Sequence, residues 1–281
     1  MKADRIHVDT VRGPVSGTIV GDGPPVLLLA GVGSTRSIWG DLPGVLSRRF
    51  KVLSMDNRGV GEMRAGERFS LRGAAEDAIA VLDAAGVARA SLLGVSNGGV
   101  IAMTTAIRAP ERVSRLIVAS AAARLTAHGA RVLAMLRDLI THLPPERVGS
   151  ALMTIAFGPK FHARFVGLVE GAARDYGLAV EDAPGALGQV EHLLQGWDLR
   201  HGLSDLELPT LVLAGEHDPV VSPLDTEEIA ATMPRARLLG VPDAAHSVLV
   251  EGGRRVLDNV FDFLAGADSD GGTDKEADVD P

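Results

Sequence analysis

The stretch Ala90-Ser91-Leu92-Leu93-Gly94-Val95-Ser96-Asn97-Gly98-Gly99 constrains this chain more than any other. It reads as a buried strand driven into a sharp turn and out into a helix. The spacing Gly94-x-Ser96-x-Gly98 places small residues on both sides of one hydroxyl, so strand and helix can approach closely while the serine takes a strained backbone and stands clear of the sheet edge. Two other strand-turn-helix readings fail. A dinucleotide fingerprint would need glycine where Ser96 stands, and a phosphate loop would need Lys then Ser or Thr where Val100 and Ile101 follow Gly99.

A serine hydroxyl is a weak nucleophile near neutral pH. It needs a base, normally histidine, and the histidine needs a carboxylate to fix its tautomer. With no cysteine among 281 residues, disulfides, thiolate nucleophiles and Cys-ligated metals are excluded, which leaves oxygen and imidazole chemistry. The partners should lie in loops at the carboxyl ends of strands, where Ser96 also points.

The pattern around Ser96 supplies such ends repeatedly. Residues 5–21 alternate loosely about Gly13-Pro14, as in an antiparallel hairpin at a sheet edge. The runs Val26-Leu27-Leu28-Leu29-Ala30, Lys51-Val52-Leu53-Ser54-Met55-Asp56, 113–119 and 209–215 are continuously apolar or nearly so, as expected of parallel strands covered by helices on both faces. Helical spacing between them predicts helices over about 40–48, 71–85, 100–107, 223–233 and 247–264, hence a β-α-β alternation with right-handed crossovers. Between residues 122 and 206 the alternation stops and helical stripes such as Leu133, Leu136, Leu139, Ile140 and Leu143 take over. The expected organisation is therefore a core of residues 1–122 and 207–265, a helical cap over 123–206, and a disordered acidic tail over 266–281.

Of the eight histidines, His246 in Val241-Pro242-Asp243-Ala244-Ala245-His246-Ser247 follows the last strand and precedes the last helix, and is the expected base. Asp218, just past the strand that ends at Gly215, is the expected acid, with Glu216 and Asp243 as rivals. Acyl transfer also requires donors for a developing oxyanion. The N–H of Asn97 lies at a helix start, where donors are unpaired, and the Gly31-Val32-Gly33 loop offers the N–H of Val32.

These residues together resemble the α/β-hydrolase superfamily. The likeness runs through Leu28 to Ser34 with Trp39, Asp56-Asn57-Arg58-Gly59-Val60-Gly61, the Ser96 turn, Ala109-Pro110-Glu111-Arg112-Val113, Gly215-Glu216-His217-Asp218 and His246, in the order Ser96, Asp218, His246. It implies an α/β fold with a mostly parallel eight-stranded sheet, helices on both faces, an oxyanion loop after the third strand and a helical cap. Among subfamilies the chain is similar to small esterases and lactonases of the 3-oxoadipate enol-lactonase kind. It departs from the pattern at Ala30, where histidine is usual, and at Glu62, where Ser or Thr is usual.

The implied activity is that of a serine hydrolase cleaving an ester or lactone of an apolar small molecule, with Leu residues, Met153, Phe157, Phe161, Phe165 and Trp197 available to line its pocket. The alternatives are a thioesterase, whose partner would be an acyl carrier protein, and a non-hydrolytic binding protein or cyclase on the same scaffold. No cofactor or metal is required by this chemistry. Of the net charge of -8, the six acids and Lys275 of residues 266–281 account for -5, so the rest of the chain carries -3 and has no basic excess for nucleic acid or an anionic membrane. The start Met1-Lys2-Ala3-Asp4-Arg5-Ile6-His7 lacks the apolar stretch of a secretory signal, which predicts a cytoplasmic protein.

Overall fold

The computed structural model describes residues 3–63, 68–181 and 184–266. Eight strands form one sheet: β1 Asp4–Thr10, β2 Gly13–Val20, β3 Pro25–Leu29, β4 Lys51–Met55, β5 Ala90–Val95, β6 Val113–Ala119, β7 Thr210–Gly215 and β8 Ala236–Val241. Their spatial order is β1-β2-β4-β3-β5-β6-β7-β8, with β1 and β2 antiparallel and every pair from β4 onward parallel. This is the α/β-hydrolase fold.

The long apolar runs follow from two-sided burial. In β3, Leu27 and Leu29 face one core while Val26 and Leu28 face the other, and β4 repeats this with Leu53 and Met55 against Val52. The first core is closed by α2 Leu71–Ala84, α3 Asn97–Arg108 and α10 Pro223–Thr232, through residues such as Ala78, Ile101 and Ile229. The second is closed by α1 Leu42–Leu46 and α12 Gly253–Ala265, through Leu46, Val256, Val260 and Phe263. Alternation of side chains along a strand then demands hydrophobes at every position.

Two helices differ from the sequence expectation. The first spans only five residues, because Pro43 and Gly44 lie inside it and Asp41 supplies no side-chain cap. The last is split into α11 Val248–Glu251 and α12, because Gly253 takes φ +52°, outside the right-handed helical region.

Between β6 and β7 the chain forms six helices among the described residues: α4 Ala127–His142, α5 Pro145–Ala156, α6 Pro159–Arg164, α7 Val166–Val180, α8 Pro184–Leu194 and α9 Arg200–Ser204. Leu136, Ile140, Val148, Leu152, Val180 and Val190 give most of this insertion a core of its own. α12 ends at Gly266, whose φ of +80° is a left-handed helix stop, and the acidic residues 267–281 lie outside the described residues.

The sheet positions the site by its order. β3 leads to β4 on one side, whereas β5 pairs with β3 on the other, so the loops leaving β3 and β5 diverge and open a crevice at the carboxyl edge. Ligands in open parallel sheets bind at such a reversal.

Candidate active site

Ser96 sits at that reversal, between β5 and α3, with φ +54° and ψ −125°. This is a costly conformation for a residue with a Cβ, and the surroundings impose it. Ser96 N–H donates to Ala119 O at 2.9 Å, while a Cβ on Gly94 would run into the Gly98 carbonyl and one on Gly98 into the Leu29 carbonyl. Glycine at both places lets α3 start directly against β3 and β5. Ser120 and Asp243, which follow β6 and β8, also have positive φ, so backbone strain gathers on this one rim.

The rim is stepped from strand to strand. Ser120 N–H donates to Leu213 O and Glu216 N–H to Val241 O, which carries the loops after β7 and β8 toward the Ser96 side. Asp218 and His246 stand in those loops. His246 Nδ1 lies 2.9 Å from Asp218 Oδ2, and Asp218 Oδ1 accepts from Val220 N–H at 2.8 Å and Val221 N–H at 2.9 Å.

The Asp218 side chain is 2% exposed. Burial alone would push its carboxyl up, but the facing His246 charge, the His246 hydrogen bond and the two backbone N–H groups outweigh it and hold the group below the ordinary carboxylate value. An ionised carboxylate only accepts, so the imidazole proton belongs on Nδ1 and Nε2 keeps its lone pair.

The structure thus brings Asp218 and His246 into contact and sets Ser96 on the same rim. Among the described residues, neither Ser96 Oγ nor His246 Nε2 makes a hydrogen bond. Such contacts are often long in unliganded enzymes and tighten around substrate. The rival acids stand elsewhere: Asp243 pairs with Lys160 at 2.7 Å, and Glu216, which is exposed, accepts from Asp243 N–H.

Val32 and Asn97 both border a narrow cavity of about 70 Å³ that reaches Ser96. Among the described residues no hydrogen bond occupies the N–H of either. The loop carrying Val32 is gripped from above: Tyr176 Oη donates to Val32 O at 3.0 Å, and Gly33 N–H donates to Gln189 Oε1 at 2.9 Å. Gln189 is fully buried, and its amide nitrogen donates onward to Arg58 O at 3.0 Å.

The cavity walls are mostly apolar, including Val100, Leu133, Leu193 and Trp197. Trp197 lies where the sequence suggested. Phe157 and Phe161 instead stack with centroids 4.9 Å apart and join Met153 and Val169 in a separate cluster, while the exposed Phe165 tilts against Phe161 at 4.7 Å. Arg124, Thr126 and Asp225 line both this cavity and a wider, open cleft of about 620 Å³ that touches Asp218.

The two departures from the family pattern are accommodated. Ala30 is buried and its carbonyl accepts from Asn57 Nδ2, while Glu62 is paired with Arg36 at 2.7 Å and Arg5 at 3.1 Å. Among the described residues no cluster of His, Cys, Asp and Glu is arranged to hold a metal ion, and no helix is long and apolar enough to cross a membrane.

Residues 26–253 match the family described as serine aminopeptidase, S33. The chain belongs to this family of α/β hydrolases. The α/β hydrolase is 31% identical to an Azorhizobium caulinodans protein provisionally named carbamate hydrolase RutD, over 82% of this chain and 86% of that one. Its structure is similar to that of a hydrolase from Pseudomonas aeruginosa PA01, with a TM-score of 0.83, 29% identity and coverage of 93% and 98%. The enol-lactonase of Burkholderia xenovorans LB400 also superposes with a TM-score of 0.83, over 92% of this chain and 99% of that one. At 23% identity that likeness speaks for the shared fold.

Tyr176 and Gln189 were not singled out from the sequence, and no spacing rule points to them. Their contacts join residues 144 and 156 positions apart.

Proposed function

We propose that this α/β hydrolase is a serine hydrolase that cleaves an ester or lactone bond of a largely apolar small molecule. His246 Nε2 takes the proton from Ser96 Oγ as the oxygen attacks the substrate carbonyl. The N–H groups of Val32 and Asn97 receive the oxyanion, and Asp218 holds the imidazole and stabilises its cation. The protonated His246 then gives its proton to the leaving oxygen, the C–O bond breaks, and water repeats the sequence on the acyl-serine. The observation that carries this reading is the 2.9 Å contact between His246 Nδ1 and the buried Asp218 carboxylate, on the rim where Ser96 is held in its strained turn. The mostly apolar cavity beside Ser96 supports the substrate class.

The RutD-named relative favours a second reading, a carbamate in place of the ester, since the same nucleophile and oxyanion donors would serve its carbonyl. A fluorophosphonate probe is expected to label the protein and to fail on Ser96→Ala. Turnover of p-nitrophenyl esters, lactones, aryl carbamates and acyl thioesters then ranks the bond. Labelling that survives in Ser96→Ala, or no labelling and no turnover at all, refutes the serine mechanism.

A further inference from the structure

His246 is bracketed by bonds to the helical insertion. The residue after it, Ser247, donates its N–H to Ala156 O at 2.8 Å. The residue before it, Ala245, donates its N–H to Glu251 Oε1 at 2.9 Å. Glu251 Oε2 accepts in turn from Gly158 N–H at 2.6 Å, two residues beyond Ala156 in the turn between α5 and α6. One carboxylate, at the end of the short helix that follows His246, therefore joins the backbone beside the imidazole to the backbone of the insertion.

We infer that Glu251 is a positioning residue for His246, holding the imidazole in register with Asp218 and Ser96 only while the turn between α5 and α6 is docked against it. The inference rests on the serine-hydrolase reading above. Three features support it beyond the contact itself. Both bonds run from backbone N–H to carboxylate, the strong charge-assisted type, so the bridge fixes main chain rather than a mobile side chain. Glu251 is held there against a cost: burial raises its carboxyl above the ordinary value and the nearby Asp218 charge adds to this, while the N–H groups of Gly158, Ala245 and Ser247 lower it. The other polar contact from this loop to the insertion, Lys160 Nζ with Asp243 Oδ2 at 2.7 Å, is solvent-exposed on both sides and contributes little. The loop is otherwise tied to the segment after β7, by His217 N–H to Ala244 O at 2.9 Å and Asp243 N–H to Glu216 Oε2 at 3.3 Å, so its coupling to the insertion falls to the carboxylate bridge and the Ser247 bond.

The test is Glu251→Gln in the full chain, with Lys160→Ala as control, using p-nitrophenyl acetate, a fluorophosphonate and the downfield proton resonance of the His246 Nδ1–H bond. The glutamine turns an –NH₂ toward one of the two N–H donors and so breaks the bridge without removing bulk. The expected result is a roughly tenfold to hundredfold loss of kcat and of labelling rate, with KM held within about threefold and the resonance shifted or broadened. Lys160→Ala keeps the parent kcat. If Glu251→Gln does not fold, Glu251→Asp carries the test, because it keeps the charge but is one methylene too short to span both donors; the same loss of kcat is expected.

Parent-like kcat and resonance in a folded variant overturn the positioning role alone. So does a loss shared between kcat and KM that merely follows a lowered melting temperature. A parent protein inert to both ester and fluorophosphonate overturns the underlying serine-hydrolase reading, and the role of Glu251 with it.

Discussion

Replacing Asp218 by asparagine separates the orienting role proposed for this side chain from its bulk. The carboxylate makes three contacts: Oδ1 accepts from the N–H groups of Val220 and Val221, and Oδ2 faces His246 Nδ1. Asparagine has one accepting atom and one donating atom, so it must choose. Turning the –NH₂ toward Val220 and Val221 strands two backbone donors, at about 1–3 kcal/mol each if no water reaches them. Turning it toward His246 strands nothing, provided the ring moves its proton from Nδ1 to Nε2. The second arrangement wins by a few kcal/mol, and it leaves the proton on the nitrogen meant to receive one from Ser96.

A base in the wrong tautomer costs about 10⁴-fold in kcat in serine proteases, which corresponds to roughly 5.4 kcal/mol of barrier. The same order is expected here, with the fold intact because shape and two of the three contacts survive. Initial rates on p-nitrophenyl acetate near pH 8, fluorophosphonate labelling rates and a thermal melt measure it. Asp243→Asn is the companion variant: its parent side chain is exposed and paired with Lys160, and the rate should be unchanged. An Asp218→Asn enzyme that is folded and within tenfold of the parent would refute the assignment, and a large loss in Asp243→Asn would name that residue the acid.

Two further outcomes follow from the same contacts. Asp218 is held below its ordinary value in the folded chain, so its ionised form contributes stability that is fully present above the unfolded value of about 3.9 and is lost as pH falls through the lower folded value. Urea unfolding across pH 5 to 2 should therefore show a shallower acid decline in Asp218→Asn than in the parent; an identical slope would contradict the shift. Gln189→Leu strands the buried N–H of Gly33 and the carbonyl of Arg58, which predicts a loss of about 2–5 kcal/mol in urea, and a loss below about 1 kcal/mol would show that the two backbone groups find other partners.

The scaffold was legible because its signals are local or periodic. Continuous hydrophobes in β3 and β4 follow from two-sided burial, and the Ser96 turn is marked by two glycines whose Cβ atoms would have no room. The loops just past β7 and β8 were legible too, and the structure brings Asp218 and His246, which stand in them, to 2.9 Å of each other. The closing helix was less so: its apolar spacing runs on through Gly252-Gly253, while the backbone breaks there. The aromatic residues near 157–165 misled for a related reason, since a Phe every four positions marks a helical face but not whether that face meets a ligand or other rings. Glu251, Tyr176 and Gln189 left no trace, because each binds backbone atoms of a distant segment, and backbone atoms have no residue type to pattern.

Those three residues divide the site in an unequal way. Ser96 is fixed from the sheet side, by its bond to Ala119 and by α3 packed against β3 and β5. The loop offering Val32 N–H is held from α7 and α8, through Tyr176 and Gln189, and the loop carrying His246 is held from the turn between α5 and α6, through Ala156 and Gly158. On the proposed mechanism, displacing the insertion would therefore leave Ser96 in place while loosening the loops that carry Val32 as oxyanion donor and His246 as base. Because barrier lowering depends on donors and base being fixed before charge develops, a small shift of those helices would cost far more in turnover than in stability. On the proposed mechanism, the segments that grip these loops, from the end of α5 through α8, are as much a part of the working geometry as the strand that delivers the serine.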